Sequence, residues 1–517
     1  MIRTTYLFSL ALICCCLTTP ASGIRVVDWT KQTVTIERQV RINPPGAADS
    51  RYSYVSFDVP PRAVRIQIRY EYERANGANT IDIGLLDSRS TDSDNPTQGF
   101  RGWSGGRRPE FFVSRNEATP GYVPGEIGAG TWRIILGLYR VSAGMDISFK
   151  IEIQTEENEA SVEIPESQTS LASTNYAAQR LTDGLNQNKP EPVSNGQRWW
   201  RGDLHMHTVH SDGDWTTSEL VHAARKSELD FICITDHNTP SHHAEIDNSS
   251  GDKGWPLVMR GEEITTYGGH TNAWGLPSGG WIDFRVRPGS APGIMKTVAQ
   301  AHSLGALISI NHPFGLCSGC SWSYGNAAKG FDAIEVWNGD WDQTDELALG
   351  MWDKVLQSGR HITGIASSDS HRATNPIGQP TSHVAARNLS QPEVLEGIKQ
   401  GRVYLTSTVN RPMISFEARR AGTRELRATI GDRMRLNTRS VVRFFVTVES
   451  APPDATISLI SNGQVVRSLL AKANGEPSVI EITCNQDAYF RVEVRDGVRK
   501  MLALTNPIYI KYGSRLS

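Results

Sequence analysis

Asp203-Leu204-His205-Met206-His207-Thr208-Val209-His210-Ser211-Asp212-Gly213 is the stretch that decides how this chain folds and what it does. On an extended strand, His205 and His207 point to the same face and can grip one cation between them. Neutral imidazole presents a lone pair near neutral pH, which makes histidine the commonest protein ligand of zinc and related ions. An H-x-H pair alone is weak evidence, but its surroundings strengthen it. All 13 histidines of the 517-residue chain fall between His205 and His383. Carboxylates and imidazoles recur behind the strand candidates that follow. They are Asp212, His237 in Thr235-Asp236-His237-Asn238, Glu263 in Gly261-Glu262-Glu263, His270, His312 in Asn311-His312-Pro313, and Asp369 with His371 in Ser368-Asp369-Ser370-His371. Nine such donors converging without a cation would crowd charges together uncompensated.

The region around these motifs alternates short apolar runs with helical patterns. Strands are predicted over 203–207, 231–235, 256–260, 270–274, 306–310, 333–337 and 361–366. Helices are predicted over 218–228, with Ser218 as N-cap, and over 292–304, 342–357 and 391–400. Such alternation implies a parallel sheet, here closed into a barrel with its chemistry at the C-terminal strand ends. The flanks read differently. Residues 24–155 show period-two runs between Pro and Gly turns, the pattern of a jelly-roll-like β-sandwich, and 411–517 return to short strands as a second sandwich. Residues 156–198 are polar and read as a linker, leaving 199–410 for the barrel.

Residues 1–23 have the layout of an export signal. Arg3 precedes an apolar run from Tyr6 to Leu17, and small residues lead to cleavage near Gly23, so the mature chain is expected to be secreted or periplasmic. That run is shorter than the roughly 20 residues of a spanning helix, and no transmembrane segment is expected elsewhere. The formal net charge of −2 gives no footprint for duplex nucleic acid. Cys317-Ser318-Gly319-Cys320 is expected to form a local disulfide. Trp103 with Arg101, Arg107 and Arg108 reads as an exposed loop, with contact to sugar or to the barrel rim as the alternative.

Taken together, Asp203-Leu204-His205-Met206-His207-Thr208, Ser211-Asp212-Gly213, Thr235-Asp236-His237-Asn238, Asn311-His312-Pro313 and Ser368-Asp369-Ser370-His371 resemble the PHP (polymerase and histidinol phosphatase) metallohydrolase family. The flanking sandwiches, and Gly261-Glu262-Glu263-Ile264-Thr265-Thr266 before Gly269-His270-Thr271-Asn272, resemble its exported CehA/McbA-like branch. The resemblance implies a distorted (β/α)7 barrel binding two or three divalent ions (Zn, Mn or Fe). It assigns His205, His207, Glu263 and Asp369 to one ion. Glu263 bridges to a second, held by His270 and His312, while Asp212, His237 and His371 hold a third. Asp203 and Asp236 are expected to orient imidazoles.

From this follows an exported metal-dependent hydrolase that attacks with a metal-activated bridging hydroxide. A small phosphomonoester or phosphodiester is the first substrate class, nucleotide and oligonucleotide ends included. Carboxylic-ester or carbamate hydrolysis on the same metals is the alternative, and a glycan- or partner-binding protein with an inactive barrel is a further one. His210 and His242 are the candidate proton donors, and Arg372 the candidate phosphate anchor.

Overall fold

The computed structural model describes residues 32–46, 49–90, 98–156, 196–249, 255–325, 329–422, 426–472 and 475–513. The expected export signal and residues 157–195 of the expected linker lie outside them. Eight strands come first: β1 (Gln32–Ile42), β2 (Tyr52–Val59), β3 (Ala63–Tyr72), β4 (Thr80–Leu86), β5 (Phe100–Gly105), β6 (Glu110–Ser114), β7 (Gly130–Arg140) and β8 (Met145–Thr155). They form two four-stranded antiparallel sheets ordered β1-β8-β3-β6 and β2-β7-β4-β5, a jelly-roll arrangement. Alternation along the strands makes the core: Ile66 and Ile68 of β3, Ile81 and Ile83 of β4 and Ile134 of β7 all point between the sheets. The outer face of the second sheet is also apolar. Tyr52, Leu86, Phe100, Trp103 and Ile135 leave the sandwich core and join that of the next unit.

That unit contains β9 (Arg198–Asp203), α1 (Thr217–Lys226), β10 (Phe231–Ile234), α2 (His243–Ser249), β11 (Leu257–Thr266), β12 (Gly269–Trp274), α3 (Ala291–Ser303), β13 (Leu307–Asn311), β14 (Ala333–Asn338), α4 (Gln343–Gln357), β15 (Thr363–Ser367), β16 (Thr381–Ala386), α5 (Gln391–Lys399) and β17 (Val403–Thr406). Seven strands pair in the order β15-β14-β13-β12-β11-β10-β9. The two ends of this path approach through a parallel bridge between Met206 and Ser370, where the His207 amide donates to Ser370 O at 2.9 Å. The (β/α)7 alternation of the expected distorted barrel is incomplete. Among the described residues, helices follow only β9, β10, β12 and β14 of the seven, and β12 is antiparallel to both neighbours. The cause is local. Only Tyr267 and Gly268 separate β11 from β12, and a connection that short joins antiparallel strands alone.

Element ends also differ from expectation. The first helix is capped by Thr216, not Ser218: Thr216 accepts from the Glu219 amide while the Glu219 carboxylate accepts from the Thr216 amide at 2.8 Å. β9 stops at Asp203, so His205 and His207 lie on the extended segment beyond it rather than on the strand.

The remaining strands are β18 (Met413–Arg420), β19 (Arg427–Thr429), β20 (Arg433–Leu436), β21 (Ser440–Glu449), β22 (Thr456–Ser461), β23 (Gln464–Leu470), β24 (Ser478–Cys484), β25 (Ala488–Arg495), β26 (Met501–Thr505) and β27 (Ile508–Tyr512). One layer is β19-β18-β21-β24. The other continues the preceding sheet without a break, β9-β16-β17-β26-β25-β22-β23. Buried Arg491 of β25 fastens this layer to α4, donating to Asp353 Oδ2 at 2.6 Å and to Glu493 Oε1 at 2.7 Å. Among the described residues no helix is long and apolar enough to cross a membrane.

Asp353→Ala removes two charge-assisted hydrogen bonds from the buried Arg491 but leaves its pair with Glu493. It is therefore expected to cost about 1.5–3 kcal/mol, read as a lower denaturation midpoint in urea. A loss under about 1 kcal/mol would mean that Arg491 is not held by this pair.

Candidate metal centre

Each strand delivers its donors to the same rim. His237 stands three residues past β10, His312 one past β13, and Asp369 two past β15. His270 comes second in β12, yet because β12 runs antiparallel its start lies at that same rim, paired with Thr265 on one side and Asn311 on the other. Glu263 departs from the strand-end pattern: it lies within β11, bridged to His237, with its carboxylate at the centre of the cluster. His312 (φ 23°), Asp369 (φ 51°) and Asn238 (φ 54°), which follows His237, occupy the left-handed region. Backbone strain of this sort concentrates where a site demands a particular side-chain direction. Gly213 completes the turn that brings in Asp212, for a Cβ there would strike the carbonyl of His207.

The nine sequence-predicted donors converge. Glu263 Oε1 lies 3.3 Å from His205 Nε2 and 3.2 Å from both His270 Nδ1 and His312 Nε2. Its Oε2 lies 2.7 Å from His237 Nδ1 and 3.5 Å from His207 Nε2. Asp369 Oδ1 is 3.3 Å from His205 Nε2 and 3.1 Å from His207 Nε2, and Asp212 Oδ1 is 3.4 Å from His237 Nε2 and 3.3 Å from His371 Nε2. Two donors bound about 2.1 Å from one ion stand about 3.0–3.5 Å apart. Among the described residues four sets of donors lie close enough for an ion: His205, His207 and Asp369; His207, Asp212, His237 and His371; His205, His312 and Glu335; and His270 and His312 with Cys320. Cys320 lies beside the last pair but is disulfide-bonded to Cys317, so it offers no thiolate. His205 Nε2, Asp212 Oδ1 and Glu263 Oε2 are buried without a hydrogen-bond partner, the condition that cations would relieve. The set fits divalent ions of borderline softness.

The carboxylates of the cluster are held ionised by the imidazoles around them. Burial raises the Glu263 carboxyl, but the charges of His205, His237 and His270 outweigh it and hold it well below the usual range. Asp369 behaves likewise, with burial opposed by His205, His207 and His371. Burial, then the charges of His371 and His237, lower the His207 ring to about 4, so its nitrogens stay free to act as ligands.

The reading of the supporting residues needs correction. Asp236 does hold an imidazole, with His242 Nδ1 3.1 Å from its Oδ2, whereas Asp203 touches no imidazole and accepts from backbone amides, those of Ser368 at 3.1 Å, Gly378 at 2.7 Å and His205 at 3.4 Å. The carboxylate that holds His205 is Glu335, 3.1 Å from its Nδ1, which also accepts from the His312 amide at 2.9 Å and Asn338 Nδ2 at 3.0 Å. Sequence reasoning missed it, although a lone carboxylate inside Ala333-Ile334-Glu335-Val336-Trp337 demands buried partners.

A cavity of about 700 Å³ opens over the cluster. His210, His242 and Arg372 do not line it. The His210 nitrogens face Ser241 Oγ at 2.8 Å and Glu245 Oε1 at 2.9 Å; His242 is sealed behind Asp236; Arg372 points to solvent. None is positioned to serve substrate. The jelly roll instead supplies a wall, through Thr80, Asp82, Trp103, Arg107 and Tyr139. The loop expected to be exposed is an interdomain contact, in which the Trp103 ring packs 4.6 Å from Phe284 and Arg108 donates to Val209 O at 2.7 Å.

No protein-family model and no curated protein matches this chain. Solved structures do. One is a two-domain protein containing a predicted PHP-like metal-dependent phosphoesterase from Bacteroides vulgatus, 19% identical over 63% of this chain and 100% of that one, TM-score 0.35. A putative metal-dependent phosphoesterase from Bifidobacterium adolescentis is 19% identical over 34% and 90%, TM-score 0.24. An amidohydrolase from Chromobacterium violaceum with bound sulfate and no metal is 16% identical over 35% and 90%, TM-score 0.25. At such overlaps, the chemistry rests on the donor constellation itself.

Glu263→Gln keeps the side-chain volume and removes the shared charge. By elemental mass spectrometry the wild type is expected to hold more than one divalent ion per chain, and the variant to lose at least one while its circular dichroism is kept. Full metal content in the variant would rule out Glu263 as the shared ligand.

Proposed function

We propose that this protein is an exported, metal-dependent phosphoesterase of the PHP type, built on a distorted seven-stranded barrel. One observation carries the reading: beneath an open cavity, adjacent donor sets share His207, and the Glu263 carboxylate lies between their imidazoles. Divalent ions held there make water a nucleophile near neutral pH and take up the negative charge that grows on the substrate. The protein's own groups do the rest. Glu335 fixes the His205 ring through Nδ1, leaving Nε2 directed at the cluster. Arg107, the only Lys or Arg among the described lining residues, brings positive charge to the mouth where a phosphoryl oxygen would enter. It is held there by bonds to Asp212 O and Asp214 Oδ1.

A second reading keeps the same centre and changes the ester. Tyr139, Tyr267 and Leu316 give the cavity an apolar side suited to an aromatic alcohol, which a carboxylic ester or carbamate could equally carry.

Purified protein assayed on p-nitrophenyl phosphate, its bis-ester and p-nitrophenyl acetate separates the two. Phosphoester turnover is expected, abolished by chelator and restored by Zn, Mn or Fe. Turnover of the acetate alone would sink the phosphoesterase reading. Asp369→Asn should lower the rate by more than the roughly 10–100-fold cost of losing a residue that only orients a ligand, with thermal unfolding little changed.

A further inference from the structure

We propose that Asp82, carried on the jelly roll, protonates the leaving group, an inference that rests on the hydrolase reading above. A basic alkoxide departs slowly unless it receives a proton as its bond breaks, and the donor must stand in the cavity. Of the carboxylates there, Asp212, Glu263 and Asp369 belong to the donor cluster. Asp342 is committed to capping α4, where its Oδ1 accepts from the Thr344 amide at 2.7 Å. Asp82 remains. It sits on β4 between Ile81 and Ile83, whose side chains enter the sandwich core, so the strand's alternation turns its carboxyl outward to the cavity.

Its setting is built across the domain boundary. Tyr267, from the turn between β11 and β12, donates to Asp82 Oδ2 at 2.6 Å. Gly137 on β7 makes room for this approach, since a Cβ there would strike the Tyr267 hydroxyl and lie 2.8 Å from the Trp103 ring. Burial lifts the Asp82 carboxyl to about 6, against the opposing Tyr267 hydrogen bond and the charge of His237. Tyr52 of β2 and, from the sandwich core, Tyr70 of β3 are also within its electrostatic reach, and Arg107 lines the same cavity. A carboxyl in that range still carries its proton in part of the population near neutral pH. As the water oxygen bonds to phosphorus and the ester P–O bond breaks, the bonding pair stays on the leaving oxygen. That oxygen takes the Asp82 proton and departs as an alcohol. Solvent reprotonates the carboxylate, balancing the proton given up by the attacking water.

The test compares p-nitrophenyl phosphate, whose leaving group is a weak base, with phenyl phosphate, whose leaving group is a stronger one. Asp82→Asn is expected to lower kcat on the phenyl ester about 100-fold or more and on the p-nitrophenyl ester far less. In the wild type, kcat/KM on the phenyl ester should fall as pH rises through about 6. Tyr267→Phe removes a bond that lowers the Asp82 value, so it should move that fall to higher pH, a shift that a purely structural contact would not produce. Equal losses on both esters, or an unmoved profile in Tyr267→Phe, would overturn the assignment while leaving the hydrolase reading intact. A wild type that hydrolyses neither ester would remove the phosphoesterase reading and this inference with it.

Discussion

The Glu263 carboxylate is the constraint around which the rest of this structure is arranged. Five imidazoles, from His205, His207, His237, His270 and His312, lie within 3.5 Å of its two oxygens. A buried carboxylate so surrounded needs cationic partners, whether protons on the rings or metal ions between them, because an uncompensated charge in that interior would cost many kcal/mol. Those partners come from four separate stretches of chain, brought together by the pairing of β9 to β13. The Met206–Ser370 bridge, which joins the ends of the strand path, is also what sets His207 beside Asp369.

The donor set was legible in the sequence because its residue types are costly to bury for any other purpose and recur at strand-length spacing. The strand and helix alternation was legible for the same periodic reason. What escaped notice depended on direction. His210 and His242 are near the motifs in sequence, yet their loops turn them toward Glu245 and Asp236 and away from the cavity. Glu335 looks like a stray charge in an apolar strand until its partners are seen on other strands. Among the described residues the expected strand and helix alternation breaks where β11, β13 and β15 each pass to the next strand without a helix. At the first of these the two-residue turn after Thr266 is too short for the crossover that pattern reading allowed.

The jelly roll's part was hidden for a related reason. A strand that alternates Ile81, Asp82, Ile83 reads as half-buried, with its polar face to water. Here that outer face meets a second body, and the packing is specific: Tyr52 stacks on Tyr267 with centroids 5.4 Å apart, and Phe100 on Trp281 at 4.0 Å. Aromatic contacts of this kind add about 0.5–1.5 kcal/mol each beyond the area they bury. The sandwich is thus held rigidly enough to be a wall of the cavity.

The same hairpin serves both ends of this design. Because β11 turns back after Thr266, β12 runs against its neighbours and returns His270 to the rim opposite Thr265. Because the turn itself projects outward, Tyr267 reaches across to Asp82. A longer connection would have let the next strand run parallel; His270 would then lie at the opposite rim and Tyr267 would have no fixed route to the jelly roll. One short loop therefore ties the geometry of the donors to the position of the neighbouring domain. A substitution that loosens the interdomain aromatic packing should be felt at the centre through that turn, without touching any of its ligands.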